Sequence, residues 1–347
     1  MAEDFRSGPG GSGSPVKIFL VSDAWLPQVN GVVTTLRTVV QTLESSGNQV
    51  YVIHPDQFST VPCPTYPEIR LAYNPGKKIA ALFDFFGPQA VHIATEGPLG
   101  LSARNYCLKH KIPFTTSFHT RFAEYVEVRT HIPAVFTYRL LRWFHSPAAR
   151  TMVAAPSFKK DLETRGFKNT VQWSRGVDTE LFRPGDKSFL GLPRPIFLCV
   201  GRVAPEKNIE AFLELKLPGT KLVVGDGPQL AELKEAYPDV RFAGPKFGEE
   251  LARYFAASDV FVFPSRTDTF GLVVLEALAS GVPVAAYPVP GPMDVLGNSE
   301  AGCLDEDLGR AALRSLSIDP AKCRELALKY SWRECARQFF DHLERIH

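Results

Sequence analysis

Apolar and polar positions follow one another along this chain in a regular rhythm. Short runs rich in Val, Ile and Phe alternate with longer stretches whose apolar residues recur every three or four positions. This is the pattern of βαβ units around a parallel sheet, whose strands are buried on both faces. In the first half, "VKIFLVSD" (16–23), "QVYVIHP" (49–55), "AVHIAT" (90–95), "PFTTSFHT" (113–120) and "TMVAAPS" (151–157) predict strands. Helices are predicted over Val32 to Ser46 and Lys77 to Phe86, stopped by Gly47 and Gly87, residues able to take the left-handed conformation past a helix end. After "RGVDTELFRPGDKSFLGLPRP" (175–195), dense in Gly and Pro, the rhythm restarts with "IFLCVGR" (196–202), "KLVVGDG" (221–227), "VRFAG" (240–244), "DVFVFPS" (259–265) and "VPVAAYP" (282–288). The fold class is therefore α/β, with two doubly wound, Rossmann-like halves whose ligands are expected at the carboxyl ends of the strands and in the cleft where the halves face each other.

Length agrees with that division, since 347 residues exceed what one hydrophobic core usually serves. The expected organisation is a leader over 1–15, a first domain over 16–180, a linker over 181–195, a second domain over 196–330 and a C-terminal helix over 331–347. The leader, "RSGPGGSGSP", reads as flexible or as a cloning remnant. In the last segment Leu326, Trp332, Cys335, Phe339 and Leu343 fall at roughly helical spacing and predict one or two amphipathic helices with a structural role.

Composition narrows the function classes. A formal net charge of +2 argues against a dedicated nucleic-acid binder, whose affinity comes from phosphate neutralisation. The six cysteines form no CxxC pair and no Cys/His group with zinc spacing, so neither a metal site nor a disulfide framework is indicated, and a reducing cytoplasm is expected. No apolar run approaches the roughly 20 residues that span a bilayer.

Four constellations carry candidate chemistry. "LPQVNGVVTTL" (26–36) is a strand-to-helix turn with Asn30 and Gly31 at its tip; amides there can bind an anion, or the motif is a simple turn. "VGRVAPEKN" (200–208) sets Arg202 and Lys207 in a loop after a strand, where two cations can neutralise a diphosphate or lie solvated at the surface. "VVGDGP" (223–228) is a second glycine turn beside it. His119, just past the strand of "TSFHTRFAEY" (116–125), is either a site residue or a packed, hydrogen-bonded one. Finally, "SRTDTFGLVVLEALASG" (265–281) places Glu276 in an otherwise apolar helix, where a buried carboxylate needs sugar or ribose hydroxyls, or an internal Arg or Lys, as its partner. Asp268, eight residues upstream, is a ligand residue or a helix N-cap.

Taken in order, the "NG" turn, "SFHTRF", "RGVD", "VGRVAPEKN", "VVGDGP", "SDVFVFPS" and "FGLVVLEALASGVPVAA" make the chain resemble the retaining glycosyltransferases of family 4, the group 1 glycosyl transferases, from residue 16 onward. It is most like the bacterial members that build glycolipids by mannosyl, glucosyl or sulfoquinovosyl transfer. The resemblance implies the GT-B fold, with the C-terminal helix returning to the first domain. It also implies transfer of a hexose from a UDP- or GDP-sugar to an acceptor hydroxyl, with retention and with neither metal nor cofactor. In that reading His119, Arg202, Lys207 and Asp268 are the catalytic set. The donor is bound by Asn30, Gly31, Arg202, Lys207, the backbone around Lys246 and Phe247, and Asp268, Thr269, Phe270, Gly271, Leu272 and Glu276. The family usually shows E-x₇-E where this chain has D-x₇-E, which leaves donor choice open.

The acceptor side rests on "RFAEYVEVRTHIPAVFTYRLLRWFHSPAAR" (121–150), where Arg121, Arg129, Arg139, Arg142 and Arg150 stand among Phe136, Tyr138, Leu141, Trp143 and Phe144. Basic residues beside apolar ones suit a helix lying in an anionic membrane interface, or an ordinary amphipathic helix packed on its domain. The expected partners are thus a nucleotide sugar, an anionic membrane surface at the inner face of the cell membrane, and a lipid acceptor such as diacylglycerol or a glycosyl-diacylglycerol. The alternatives are a soluble acceptor, or a nucleotide-sugar-binding protein without turnover.

Overall fold

The computed structural model describes residues 14–346 except 29, 64–65, 120–122, 125, 128–131 and 269, and leaves aside the side chains of 66–68. The chain divides into two compact units, Met1–Ser174 with Trp332–His347, and Arg175–Ser331.

In the first unit the strands are β1 (Lys17–Val21), β2 (Gln49–Ile53), a separate antiparallel hairpin of β3 (Thr60–Cys63) and β4 (Tyr66–Ala72), then β5 (Ala90–Ile93), β6 (Thr115–Phe118), β7 (Arg150–Val153) and β8 (Thr170–Gln172). Six of them form a parallel sheet in the order β2-β1-β5-β6-β7-β8. Strands β5 and β6 are buried throughout, and apart from His92 their residues are apolar or small and polar. The helix Gly31–Ser45 buries Val33, Leu36, Val39, Val40 and Leu43 along one stripe. That stripe shares a core with Cys335, Ala336 and Phe339 of the C-terminal helix Trp332–His342 and with Trp173. The indole of Trp173 donates to the Cys335 carbonyl at 3.0 Å, so the last helix is an integral part of the first unit although it comes last in the sequence.

The second unit repeats the architecture with β9 (Ile196–Val200), β10 (Thr220–Val224), β11 (Arg241–Phe242), β12 (Val260–Phe263), β13 (Val284–Ala286) and β14 (Gly302–Leu304) in the parallel order β11-β10-β9-β12-β13-β14. Two differences from the sequence reading concern boundaries. The first unit ends at Ser174 rather than at 180, and 181–195 is not a free linker but part of the second unit. Phe182 packs edge-on against Phe255, and Arg194 pairs with Asp259 while donating to the Ala257 carbonyl at 3.1 Å. A Gly/Pro-rich composition marks irregular backbone, and irregular backbone can be packed as firmly as a helix.

Candidate functional site

In each sheet the strand order reverses direction at one place, between β1 and β5 in the first unit and between β9 and β12 in the second. In a doubly wound fold the loops leaving the carboxyl ends of those strands diverge and open a ligand crevice. Arg202 and Lys207 follow β9, Asp268, Phe270 and Gly271 follow β12, Leu272 and Glu276 are on the helix after them, and Lys246 and Phe247 follow β11. After β9 the chain turns at Gly201, whose φ of 155° only glycine accepts readily, and carries Arg202 into the loop. After β10, Gly225 passes so close that an added Cβ would stand 1.8 Å from the Gly201 carbonyl oxygen. Gly227 leaves only 2.3 Å to the Val203 carbonyl oxygen. Hydrogen bonds from Gly201 to Val224 (3.0 Å) and from Val203 to Asp226 (2.8 Å) fasten the two loops together. The glycines of "VGR" and "VVGDG" therefore let two backbones touch at the ends of β9 and β10.

The loops after β9 and β12 are joined in turn. Asn208, in the left-handed region at φ 53°, donates to the Pro264 carbonyl at 3.0 Å, and Thr267 donates to the Glu206 carbonyl at 3.1 Å. Between these ties lies the Lys207–Asp268 ion pair, Nζ to Oδ1 2.5 Å, with the other carboxylate oxygen buried and without a hydrogen bond among the described residues. Sequence reasoning assigned Lys207 to phosphate and Asp268 to sugar or to a helix cap. In the structure each is the other's partner, and the cap of the helix Leu272–Ala279 is Gly271, at φ 78°. Phe270 does not present its ring to a ligand: the side chain is buried against Tyr330, because a ring in that turn finds apolar surface within its own unit. Thr269 lies outside the described residues.

Glu276 is on that helix, where Val274, Leu275, Ala277, Leu278 and Ala279 are all buried. The residue as a whole is partly exposed, yet its Oε2 is buried with no hydrogen-bond partner, and it carries no ion pair among the described residues. Burial alone pushes its pKa up to about 7. Among the described residues this carboxylate oxygen is a hydrogen-bond acceptor without a donor, and no salt bridge to them explains it.

At the first unit's reversal point, Asn30 caps the helix Gly31–Ser45, accepting from the Val32 and Val33 amides at 3.0 Å each. Its side chain is thus committed to the turn, and Gly31 opens the helix. His119 follows β6 and is half-buried; its Nε2 lies 2.8 Å from Ser117 Oγ, and its ring meets Trp173 edge-on.

Two family models match the chain, Glycosyltransferase Family 4 over residues 29–181 and Glycosyl transferases group 1 over residues 194–316. A GDP-mannose-dependent alpha-mannosyltransferase of Mycobacterium tuberculosis is 30% identical over 318 residues, covering 83% of each chain. The chain belongs to glycosyltransferase family 4. This glycosyltransferase is also 29% identical to the sulfoquinovosyl transferase SQD2 of Arabidopsis thaliana, over 79% of this chain and 60% of that one. An alpha-monoglucosyldiacylglycerol synthase of Streptococcus pneumoniae is 28% identical, over 88% and 79% of the two chains. Among solved structures, sucrose-phosphate synthase from Thermosynechococcus elongatus superposes with a TM-score of 0.75 at 23% identity, over 94% of this chain and 98% of that one. The fold is GT-B.

The remaining predicted residues of the glycosyltransferase are placed as follows. Lys246 pairs with Glu250 at 2.6 Å, and Phe247, exposed, precedes the helix Gly248–Ala257. Arg139, Arg142 and Trp143 are exposed on the helix Ala134–His145, together with Val135, Phe136 and Leu140. Phe144, expected on the same face, is buried in the core with Tyr138 and Leu141, since positions three apart on a helix share one side and these three define the inward one. Arg142 also donates to the Arg165 carbonyl at 3.0 Å, and the Arg104 guanidinium lies over the Trp143 ring. Arg121 and Arg129 lie outside the described residues. No helix of the described residues is long and apolar enough to cross a membrane.

Sequence reasoning missed a polar cluster at the ends of β1, β5 and β6. Asp23, almost wholly buried, accepts from the Leu99 amide at 2.9 Å and the Gly100 amide at 3.3 Å, capping the helix Pro98–His110 from a distant strand. Burial raises its pKa to about 6 against the downward pull of those bonds and of Thr95. Buried His145 bridges Thr116 Oγ1 (2.9 Å) and Glu96 (3.1 Å). The signal was present in "VSD" and "ATEG", polar residues at the ends of apolar runs, but their partners lie far away in the sequence.

Proposed function

We propose that this glycosyltransferase moves a hexose from a nucleotide diphosphate sugar, a UDP- or GDP-sugar, to an acceptor hydroxyl of a membrane lipid such as diacylglycerol or a glycosyl-diacylglycerol, with retention and without a metal. The observation that carries the reading is the convergence of Arg202, the Lys207–Asp268 pair and the donorless carboxylate of Glu276 at one strand-order reversal. Glu276 takes hydrogen bonds from the ribose hydroxyls. The diphosphate, carrying more charge than one carboxylate, draws Lys207 from Asp268 and is held by Arg202, Lys207 and the amides of Gly271 and Leu272. Asp268, so released, accepts from hydroxyls of the transferred sugar.

The bond from the sugar C1 to the phosphate oxygen breaks while the acceptor oxygen bonds to C1 on the same face. The acceptor's proton passes to the leaving phosphate, so no enzymic nucleophile is required. Negative charge grows on the departing diphosphate, where fixed cations and amides stabilise the transition state more than the ground state. These groups supply the charge a metal would otherwise bring, and the rate is expected to be unchanged by EDTA.

The acceptor reading is supported by the relatives that make or modify glycolipids and by the exposed row of Val135, Phe136, Leu140 and Trp143 flanked by Arg139 and Arg142, a composition that suits the inner leaflet of a cell membrane. The test is release of nucleoside diphosphate from a panel of UDP- and GDP-hexoses with vesicles containing each lipid acceptor, the anomer of the product being read by NMR. Turnover on soluble alcohols alone overturns the lipid assignment. Donor binding without turnover for every pair makes the chain a nucleotide-sugar-binding protein instead.

A further inference from the structure

In the first unit the helix Ala134–His145 and the turn after the helix Pro156–Thr164 enclose a cleft of about 390 Å³, within the roughly 300–1,000 Å³ of small-molecule sites. Arg139, Arg142 and Lys168 line it, with Trp143 and Phe167 as apolar walls. None of the described residues that line it is acidic. Arg139 and Lys168 have no hydrogen bond or ion pair among the described residues, whereas the cations just upstream of the turn, Lys159 and Arg165, pair with Glu163 and Asp161. Lys168 stands outside the basic stretch of 121–150, and only the fold brings it to the two arginines.

The walls of the cleft are fixed. Asn169 Nδ2 donates to the His145 carbonyl at 3.1 Å and to the Ala148 carbonyl at 2.8 Å, which ties the turn to the end of the helix. Gly166, at φ 86°, lets the Arg142 guanidinium lie on the turn: an added Cβ would stand 2.9 Å from Arg142 Nη1, which donates to the Arg165 carbonyl at 3.0 Å. The Trp143 ring lies under the Arg104 guanidinium, whose Nη2 donates to the Trp143 carbonyl at 2.9 Å. Three like charges held around one cleft repel one another, and an anion in the cleft turns that cost into attraction. The planar fork of arginine matches two oxygens of a phosphate, and Lys168 adds a point charge.

The place of the cleft on the helix identifies the source of the phosphate. Arg139 and Arg142, three apart, share one side of the helix, and Phe136, Leu140 and Trp143 form the exposed stripe beside it. A helix lying in a membrane sinks its apolar side about 5–10 Å, to the boundary of headgroups and acyl chains, which leaves an adjoining basic side level with the lipid phosphates. We propose that this cleft binds the phosphodiester headgroup of an anionic phospholipid, one lipid per chain, while the apolar stripe enters the bilayer beside it. The lipid so bound is an anchor and not the acceptor. The inference rests on the membrane reading given above and adds to it a stoichiometric site with a headgroup preference.

The test titrates the full-length, ¹⁵N-labelled protein with dihexanoyl phosphatidylglycerol below its micelle concentration, reading the Trp143 indole and the Gly166 amide by NMR. Saturable shifts at both, with one lipid per chain, are expected. Lys168→Ala and Arg142→Lys should each weaken binding about fivefold, the first by removing a cation beside the phosphate and the second by losing the paired hydrogen bonds. Lys77→Ala, which removes the same charge from an exposed position on another helix of the first unit, should leave it within about twofold. Shifts that are absent or do not saturate overturn the proposal, as does equal weakening by Lys168→Ala and Lys77→Ala, which would mean diffuse surface charge. Inorganic phosphate binding as tightly as the lipid also overturns it and makes the cleft a site for free anions. The acceptor reading fails separately. Headgroup binding with turnover on soluble alcohols alone removes the lipid acceptor and leaves the cleft, whereas glycosylation of vesicle lipids without headgroup binding removes the cleft alone.

Discussion

Replacing Glu276 by glutamine separates what this carboxylate costs the protein from what it does. Among the described residues it has no ion pair and its buried Oε2 no donor, and burial raises its pKa from 4.5 to about 7. The folded state therefore holds this proton more tightly than the unfolded state. The stability it contributes is fully present below the unfolded value near 4.5 and is lost as pH rises through the folded value near 7. A rise from 4.5 to about 7 corresponds to about 3 kcal/mol once both states are ionised, at roughly 1.4 kcal/mol per tenfold. Partial exposure of the residue screens part of this, leaving about 2 kcal/mol as the change expected between pH 5 and pH 8. Glutamine has the same shape and no charge. Urea unfolding curves of the ligand-free wild type and Glu276→Gln should nearly coincide at pH 5, and the variant should be the more stable by about 2 kcal/mol at pH 8. Over the same range the variant should bind the nucleotide sugar about tenfold more weakly, having lost a charged acceptor for ribose hydroxyls. A stability gap that does not change with pH, or a variant less stable at pH 8, refutes the reasoning, because it would mean that Glu276 has an internal partner.

Other perturbations test other parts of the site. Gly225→Ala places a methyl in contact with the Gly201 carbonyl and should destabilise the second unit by about 2 kcal/mol or more and raise the donor KM, whereas Gly76→Ala, with nothing within 4 Å, should leave the thermal midpoint unmoved. Lys207→Ala should lower kcat by about a hundredfold with a smaller effect on donor binding, read by steady-state kinetics, since it removes charge stabilisation of the leaving diphosphate. Phe144→Ala should cost about 3–5 kcal/mol in denaturant unfolding. Phe136→Ser should leave stability within about 0.5 kcal/mol and weaken cosedimentation with anionic vesicles, because one ring is buried and the other is exposed.

The sequence alone determined what depends on local spacing. Apolar runs of four or five residues separated by helical stretches could only be parallel strands with crossovers, and ten of them stand in the sheets at the places their sequences indicate. Gly47 and Gly87 end their helices with φ of 83° and 58°, the conformation that the lack of a side chain permits. The ordered motifs of the second half likewise placed Arg202 and Lys207 after β9, Asp268 after β12 and Glu276 on the helix that follows. The short strands β8 and β14 were not legible, because three residues of pairing leave no period to read, and the hairpin of β3 and β4, four pairs with a register shift at Pro62/Cys63, lacks a clean alternation.

Tertiary structure decided everything that depends on who meets whom. That Lys207 and Asp268 are partners, that Phe270 and Phe144 face inward, and that Asp23 caps a helix more than seventy residues away follow from loops brought together at the ends of different strands. The last helix joins the first unit rather than the second because its apolar stripe matches the stripe of Gly31–Ser45, a complementarity of surfaces to which sequence distance is irrelevant. For the same reason a chain can announce that Glu276 is a misplaced charge, while only the packed helix around it reveals that, among the described residues, its buried Oε2 has no hydrogen-bond partner.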